Sequence, residues 1–452
     1  MQENKIKITF AGGAKEVTGS NFLIEAMGKK MLVDCGMPQG EADHGDVYGP
    51  FSYEPREIDY LLVTHAHLDH IGKIGFLINQ GFKGKIYSTK ATKEIARPAM
   101  EDAFHLVSMA AIKNGEEPPY SIEDVEIAFT LWHTVDYLEN VNLGEKLSAK
   151  YFNASHVLGS AMIQINSDGK KLLMTGDMGN NSLLLQDADI PTDSDFVCME
   201  CVYGDRKHEG LETRTKNLEE IVLNTIKHKG TLVIPAFAIE RTQEVLSEIN
   251  DMVEMHKMPV IPVYLDSPLS IEITHIFHHY KALLKQSVQD KINKGDDVFS
   301  FPGLHMSHTR DESMDINHVP GPKIVIAGSG MVQGGRVMHH VKRYVEDPNN
   351  TIMMVGYQAV GTTGRKLSEG RDKINIGEAV LDVNARIVNL GGYSAHRDVD
   401  SLLDFVKVVA PNCKKLNLIL GDEDSLLGFQ KIVKEKLNID AYIPSADEVL
   451  EF

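Results

Sequence analysis

The sequence predicts an α/β protein of two domains, with the second inserted into the first. Three observations carry this. The chain has 452 residues, more than one hydrophobic core usually serves. Its first 200 residues read as short strands joined by turns and a few helices, and the texture changes after "YGDRKH" (203–208) to a regular alternation of strand and helix. From about Ala385 the chain reads as strand, helix, strand and final helix, so the C-terminus completes the first domain. The boundaries read as residues 1–205, 206–385 and 386–452.

The elements follow in order. "MQENKIKITFAGG" alternates, with Ile6, Ile8 and Phe10 on one side, and predicts a first strand. "KKMLVDCG" is a strand ending at a glycine turn, and "REIDYLLVTH" a buried strand. "IGKIGFLINQGF" has helical spacing with Gly81 as its stop. "GKIYST" is a strand, followed by a helix that Pro98 starts late or kinks. "EKLSAKYFNASH" and "KKLLMTGD" are strands that each end on a potential ligand, His156 and Asp177. In the second region the strands "TLVIPAFA", "PVIPVYLDSPLS", "KIVIAGSG" and "TIMMVGYQ" are separated by helical segments, which predicts a parallel sheet.

Composition bounds the function. Hydrophobic residues at 42% and charged residues at 24% are ordinary for a globular protein. A net charge of −18 argues against a uniformly basic nucleic-acid clamp and leaves room for a local basic groove. The cysteines Cys35, Cys198, Cys201 and Cys413 give no readable disulfide framework, which suits a reducing cytosol. Cys198 and Cys201 form a C-x-x-C with no second such pair; it lies beside the strand "DFVCM" and reads as incidental spacing. The N-terminus lacks the charged and apolar regions of a signal segment, and no apolar run suggests a membrane span. A cytoplasmic location with no membrane partner is the expectation.

"VTHAHLDHIGKI" (63–74) places His65, His67, Asp69 and His70 within six positions. Neutral imidazole offers one ring nitrogen to a metal, and a carboxylate is a hard, charge-balancing ligand. His65 and His67, two apart at a strand end, can point the same way. Asp69 and His70 lie on the following turn and can reach another side, so H-x-H-x-D-H suits two metals. The strand ends "NASH" and "MTGD" supply His156 and Asp177. A solvated loop rich in histidine is the alternative, and the apolar strand before the cluster counts against it.

With Asp34 in "LVDCG", this constellation resembles the metallo-β-lactamase superfamily. "MECVYGDR", "IPAFAIERTQEVL", "VYLDSPLS", "AGSGMVQGGRVMHH", "GYQAVGTTGRKL" and "GGYSAH" narrow the resemblance to its β-CASP branch, and within it to RNA-processing nucleases like the 73-kDa cleavage and polyadenylation subunit and its prokaryotic relatives. The resemblance runs over nearly the whole chain. It implies an αββα metallo-β-lactamase fold with an inserted parallel-sheet α/β β-CASP domain. It implies two zinc ions per chain, with His65, His67 and His156 on one, Asp69 and His70 on the other, and Asp177 bridging. Asp34 would support the ligand imidazoles from behind. Glu200 would pair with His396, and the pair would help protonate the leaving oxygen. Asp69 would orient the attacking hydroxide or deprotonate the water that yields it, in the interdomain cleft, where two cations roughly 3.5–4 Å apart neutralise the charge building on phosphorus.

The sequence departs from that pattern at two places. The relatives' further histidine, before a Gly-acid pair in a late strand, matches Leu420 in "KLNLILGDED", and leucine cannot ligate. The second site then keeps Asp69, His70 and Asp177, with water or Asp422 filling in. The usual E-S-T-Y-G is here Glu200-Cys201-Val202-Tyr203-Gly204. For substrate phosphate the candidates are Ser329 and Gly330 in "AGSGMVQGGR", with Arg336, Arg365 and Ser394. That loop is one residue too long for a dinucleotide fingerprint, and the absence of G-K-[ST] excludes a P-loop. Arg241 is read equally as a groove residue or half of an ion pair.

The reading is a metal-dependent phosphodiesterase, a ribonuclease acting on single-stranded RNA, with a homodimer possible. The alternatives are a weakened nucleic-acid-binding or scaffold subunit, motivated by Leu420, a DNA nuclease, or a small-molecule hydrolase of the same superfamily.

Overall fold

The computed structural model describes residues 5–40 and 47–452. They fall into two compact units. The first comprises residues up to 39, 47–207 and 396–452; the second comprises 208–395 and Gly40. Among the described residues no helix is long and apolar enough to cross a membrane.

The first unit holds two seven-stranded sheets. In spatial order, the first runs Val449–Glu451, Lys7–Gly12, Asn21–Ala26, Lys29–Val33, Tyr60–Leu62, Lys85–Thr89 and Trp132–Val135. The second runs Ala441–Tyr442, Lys415–Ile419, Phe196–Glu200, Lys170–Met174, Ala161–Ser167, Leu147–Asn153 and Asn140–Gly144. Their inner faces share one core. Ile6, Ile8, Phe10, Phe22 and Ile24 from the first meet Tyr151, Ile163, Ile165, Leu172 and Cys198 from the second. The expected alternation of the N-terminal strand produces this face, because every second side chain of a strand points the same way. Helices Val399–Val409 and Glu423–Leu437 cover the outer face of the second sheet through Leu402, Phe405, Val406, Leu426 and Phe429. Helices Lys90–Asn114 and Ile122–Leu131 lie on the first sheet. The result is the αββα layering.

The second unit is built on a six-stranded sheet in the order Leu304–Met306, Val263–Leu265, Lys323–Ala327, Thr231–Pro235, Thr351–Met354, Arg386–Asn389. Every pairing in it is parallel. Its three central strands, Lys323–Ala327, Thr231–Pro235 and Thr351–Met354, are buried along their whole length, as parallel strands covered on both faces must be.

Several local readings change. The strands before His156 and Asp177 stop at Asn153 and Met174, so both residues sit in the loops that follow. The helix after the histidine cluster is short, Ile74–Asn79, and a separate turn of helix, Leu68–Ile71, lies within the cluster itself. The long helix begins at Lys90 and contains Pro98, because the Thr89 hydroxyl accepts from the Thr92 N–H and caps its start upstream of the proline. Arg386–Asn389 joins the second unit's sheet, and that unit runs to Ala395. The strand Val449–Glu451 and the hairpin of Lys373–Ile376 with Ala379–Asp382 are too short to carry a periodic signal.

Candidate metal centre

Loops at one end of the two sheets of the first unit deliver the cluster. Asp34 follows Lys29–Val33 with φ of 60°, and His65 and His67 follow Tyr60–Leu62. Asp69 and His70 lie on the helix Leu68–Ile71. Two glycines let these loops close on one another. A Cβ at Gly36 would lie 1.6 Å from the Asp69 carbonyl oxygen, and one at Gly179 would lie 1.7 Å from the Ser155 carbonyl oxygen. Only glycine fits either approach.

His65, His67, His156 and Asp177 each present one ligand atom, all within 4.8 Å of one another. His67 Nδ1 lies 3.1 Å from His65 Nε2 and 3.3 Å from His156 Nε2. Asp177 Oδ2 lies 3.6 Å from His65 Nε2 and 3.4 Å from His156 Nε2. Asp177 Oδ1 faces the other way, 3.4 Å from His70 Nε2, and Asp69 Oδ2 is 3.9 Å from that same nitrogen. Two ligands on one tetrahedral zinc stand about 3.3 Å apart, given bonds of about 2.0–2.1 Å. The spacings therefore suit cations on both sides of Asp177. Two buried atoms reinforce this. His70 Nε2 and Asp177 Oδ1 have no hydrogen-bond partner among the described residues. Buried polar atoms rarely stay unsatisfied, and a cation between them answers both.

Hydrogen bonds behind the ligands fix which nitrogen faces the centre. Asp34 is fully buried, and its Oδ2 accepts from His70 Nδ1 at 2.7 Å and from the Ser20 hydroxyl at 3.0 Å. Its Oδ1 accepts from the Thr64 N–H at 2.8 Å. The Thr64 hydroxyl donates to Asp34 and accepts from His65 Nδ1 at 3.0 Å. One carboxylate thus sets two imidazoles so that each turns Nε2 inward. The Ser160 hydroxyl accepts from the backbone N–H of His156 at 2.9 Å and pins that loop. Thr64, Ser20 and Ser160 escaped the sequence reading; only the adjacency of Thr64 to His65 pointed to any of them.

Glu200 is fully buried, and its Oε1 and Oε2 accept from the N–H groups of Met178 and Val202 at 2.8 and 3.2 Å. His396 Nδ1 lies 3.3 Å from Glu200 Oε1 and 3.9 Å from Asp177 Oδ2. The His396 backbone is bridged to Gly179, and the Arg397 N–H donates to the Met178 carbonyl at 3.1 Å. Burial pulls the His396 imidazole toward neutral, but the Glu200 and Asp177 carboxylates outweigh it and push the pKa up to about 9. Burial raises Asp69 to about 6 against the pull of His70. Burial also drives His65 well below its usual value, which leaves it neutral and ready to ligate.

Leu420 offers nothing to the centre. It is fully buried in the core between the sheets, its Cδ2 packs against Gly13, and its N–H donates to the Gly13 carbonyl at 2.8 Å. Cys198 and Cys201 face opposite sides of their sheet, one in the inner core and the other beneath the outer helices, so they form neither a redox pair nor half a metal site.

Family models match in three consecutive blocks. Residues 14–195 match the metallo-beta-lactamase superfamily, 242–367 the Beta-Casp domain, and 380–444 the Zn-dependent metallo-hydrolase RNA specificity domain. Ribonuclease TTHA0252 of Thermus thermophilus is 34% identical over 95% of this chain and 96% of its own length. The chain belongs to the β-CASP branch of the metallo-β-lactamase superfamily. An RNase J-like protein of Methanocaldococcus jannaschii is 31% identical over 98% of this chain and 99% of its own length. The transcription termination factor FttA of Methanosarcina mazei is 32% identical over 96% of this chain and 70% of its own length. A crystal structure of a protein of unknown function from Enterococcus faecalis matches with a TM-score of 0.56 at 12% identity, over 99% of this chain and 100% of that one, and supports the fold alone. This β-CASP protein is a metal-binding hydrolase.

The remaining sequence candidates lie in its second unit. Arg336 donates from Nη1 to Asp266 Oδ1 at 2.7 Å and to the Ser307 carbonyl at 2.8 Å, and from Nη2 to the His308 carbonyl at 2.9 Å. Those bonds make it a brace between strand ends. Arg365 Nε donates to Glu369 Oε1 at 2.7 Å, one turn along its helix. Arg241 closes a buried ion pair with Glu244 at 2.6 Å. The Ser394 hydroxyl is buried with no partner among the described residues. Around Ser329 and Gly330, no group among the described residues accepts from the N–H of Ser329, Gly330 or Met331. Three successive N–H groups without an acceptor are available to an anion.

Proposed function

We propose that this chain is a two-zinc ribonuclease of the cytoplasm that cleaves single-stranded RNA. One observation carries the two-metal part: the two carboxylate oxygens of Asp177 face separate ligand sets, His65 and His156 on one side and His70 with Asp69 on the other. When bound, two cations supply charge neutralisation at the scissile phosphate and lower the pKa of an attacking water. The protein's own residues do the rest. Asp34 and Thr64 hold the His70 and His65 tautomers. The Asp69 carboxylate orients the attacking water and accepts its proton. His396, charged and oriented by Glu200, donates a proton to the departing ribose oxygen. The free N–H groups at Ser329 and Gly330 and the buried Ser394 hydroxyl suit a substrate phosphate; Arg336 and Arg365, already engaged, serve it less directly. The choice of RNA rests on the relatives, whose names include a ribonuclease and an RNase J-like protein, and on the RNA specificity domain match.

The test is cleavage of end-labelled single-stranded RNA and DNA of one sequence by zinc-loaded protein, with bis(p-nitrophenyl) phosphate alongside. RNA cut at least tenfold faster than DNA supports the reading. Hydrolysis of the small diester with neither nucleic acid cut would overturn it.

A further inference from the structure

We propose that Phe237 is a stacking platform for one unpaired base of the RNA strand; this rests on the ribonuclease reading above. The second unit's sheet is parallel, so all its strands end at one edge. The chain leaves Thr231–Pro235 for Val263–Leu265 on one side and leaves Thr351–Met354 for Arg386–Asn389 on the other. Those two strands are neighbours. Divergent connections from adjacent parallel strands open a crevice at their C-terminal ends, where α/β sheets take ligands. Phe237 follows the first of these strands and Tyr357 the second, and both are half-buried.

The ring of Phe237 is held in place by absence of side chains. A Cβ at Gly330 would lie 2.7 Å from ring atom Cδ2, and one at Gly356 would lie 2.9 Å from Cε2. Two loops from different strands thus leave room for one aromatic edge. Its backbone is fixed too: the Phe237 carbonyl accepts from the Thr242 hydroxyl at 2.8 Å and from the Thr242 N–H at 3.2 Å. Gln358 donates to the Gly330 carbonyl at 3.0 Å and ties the two loops together. An aromatic ring that only packs a core needs no such cradle at a half-open edge. Here it adjoins Gly330, one of the free N–H donors suited to phosphate. A phosphate-binding turn beside a rigid, partly exposed ring matches what one nucleotide offers, an anion and a π face.

The test uses the full chain with zinc and a fluorescent single-stranded RNA. Phe237→Leu is expected to raise both KM and the RNA dissociation constant about tenfold, with kcat changing less than twofold, while Phe237→Tyr keeps wild-type values. Thermal melts check that both variants fold. A scan with a single abasic nucleotide is expected to find one position where base loss costs the wild type about tenfold and costs Phe237→Leu nothing further. Unchanged KM and binding in Phe237→Leu, or additive effects at every position, would overturn the platform while leaving the ribonuclease intact. A loss confined to kcat would also overturn it. RNA neither bound nor cut by the wild type would remove both readings.

Discussion

Two buried clusters of charged side chains, one in each unit, have similar ingredients and opposite bookkeeping. In the second unit, Arg214 Nη1 meets Glu244 at 3.2 Å, Arg214 Nη2 meets Glu248 at 3.3 Å, and Arg241 meets Glu244 at 2.6 Å. The Tyr393 hydroxyl donates to Glu248, and the Arg214 guanidinium lies 4.2 Å over the Tyr393 ring. Guanidinium charge answers carboxylate charge there, even though Arg214 Nε and Nη2 make no hydrogen bond among the described residues. In the first unit, four histidines and two carboxylates converge with no arginine or lysine paired to them among the described ion pairs, and His70 Nε2 and Asp177 Oδ1 face each other without a hydrogen bond. The lack of a permanently charged partner for these ligands distinguishes a cation site from a structural ion cluster. Burial alone does not, since both clusters are buried.

Breaking each cluster should therefore fail differently. Asp177→Ala removes the carboxylate common to both ligand sets; RNA cleavage is expected to fall about a thousandfold or more, about 4 kcal/mol of barrier, with metal lost on dialysis. Arg214→Leu strands Glu248 in the interior and leaves Glu244 its pair with Arg241; urea denaturation should register about 3–5 kcal/mol of lost stability, while metal per folded chain stays at the wild-type level. His396→Ala should lower kcat about a hundredfold with metal retained. The same residue sets a pH limb: the donor exists below its pKa, so wild-type kcat should decline as pH rises through about 9, and this limb should be missing from His396→Ala. Thr64→Val keeps every ligand but cuts the link from His65 to Asp34. Competition with a zinc indicator should reveal about tenfold weaker binding with little change in melting temperature.

Much of the centre was legible because its ligands have chemically distinctive side chains in a short spacing. His65, His67, Asp69 and His70 fall within six positions, and the two loops carrying His156 and Asp177 supply the other ligands. The αββα layering was implied by resemblance, and the alternation of Ile6, Ile8 and Phe10 marked its inner face. What stayed hidden was local and tertiary. Thr64, Ser20 and Ser160 act through single hydrogen bonds that no spacing announces. The sequence suggests Arg336 and Arg365 as phosphate ligands through their place beside the glycine-rich loop and the metals, yet Arg336 is engaged by Asp266, which sequence distance conceals. Leu420 has no atom that can ligate, and this is plain from the sequence. Its packing against Gly13 in the core is a consequence of two sheets meeting, which one strand's sequence does not report.

The proposed mechanism depends on Asp177 joining two cation sites. Its most direct test is zinc per chain by mass spectrometry in wild type and in Asp69→Ala/His70→Ala, purified side by side, with RNA cleavage from the same samples. Two equivalents falling to one, with cleavage abolished, is the predicted result. One equivalent in the wild type that the double substitution leaves unchanged would contradict it.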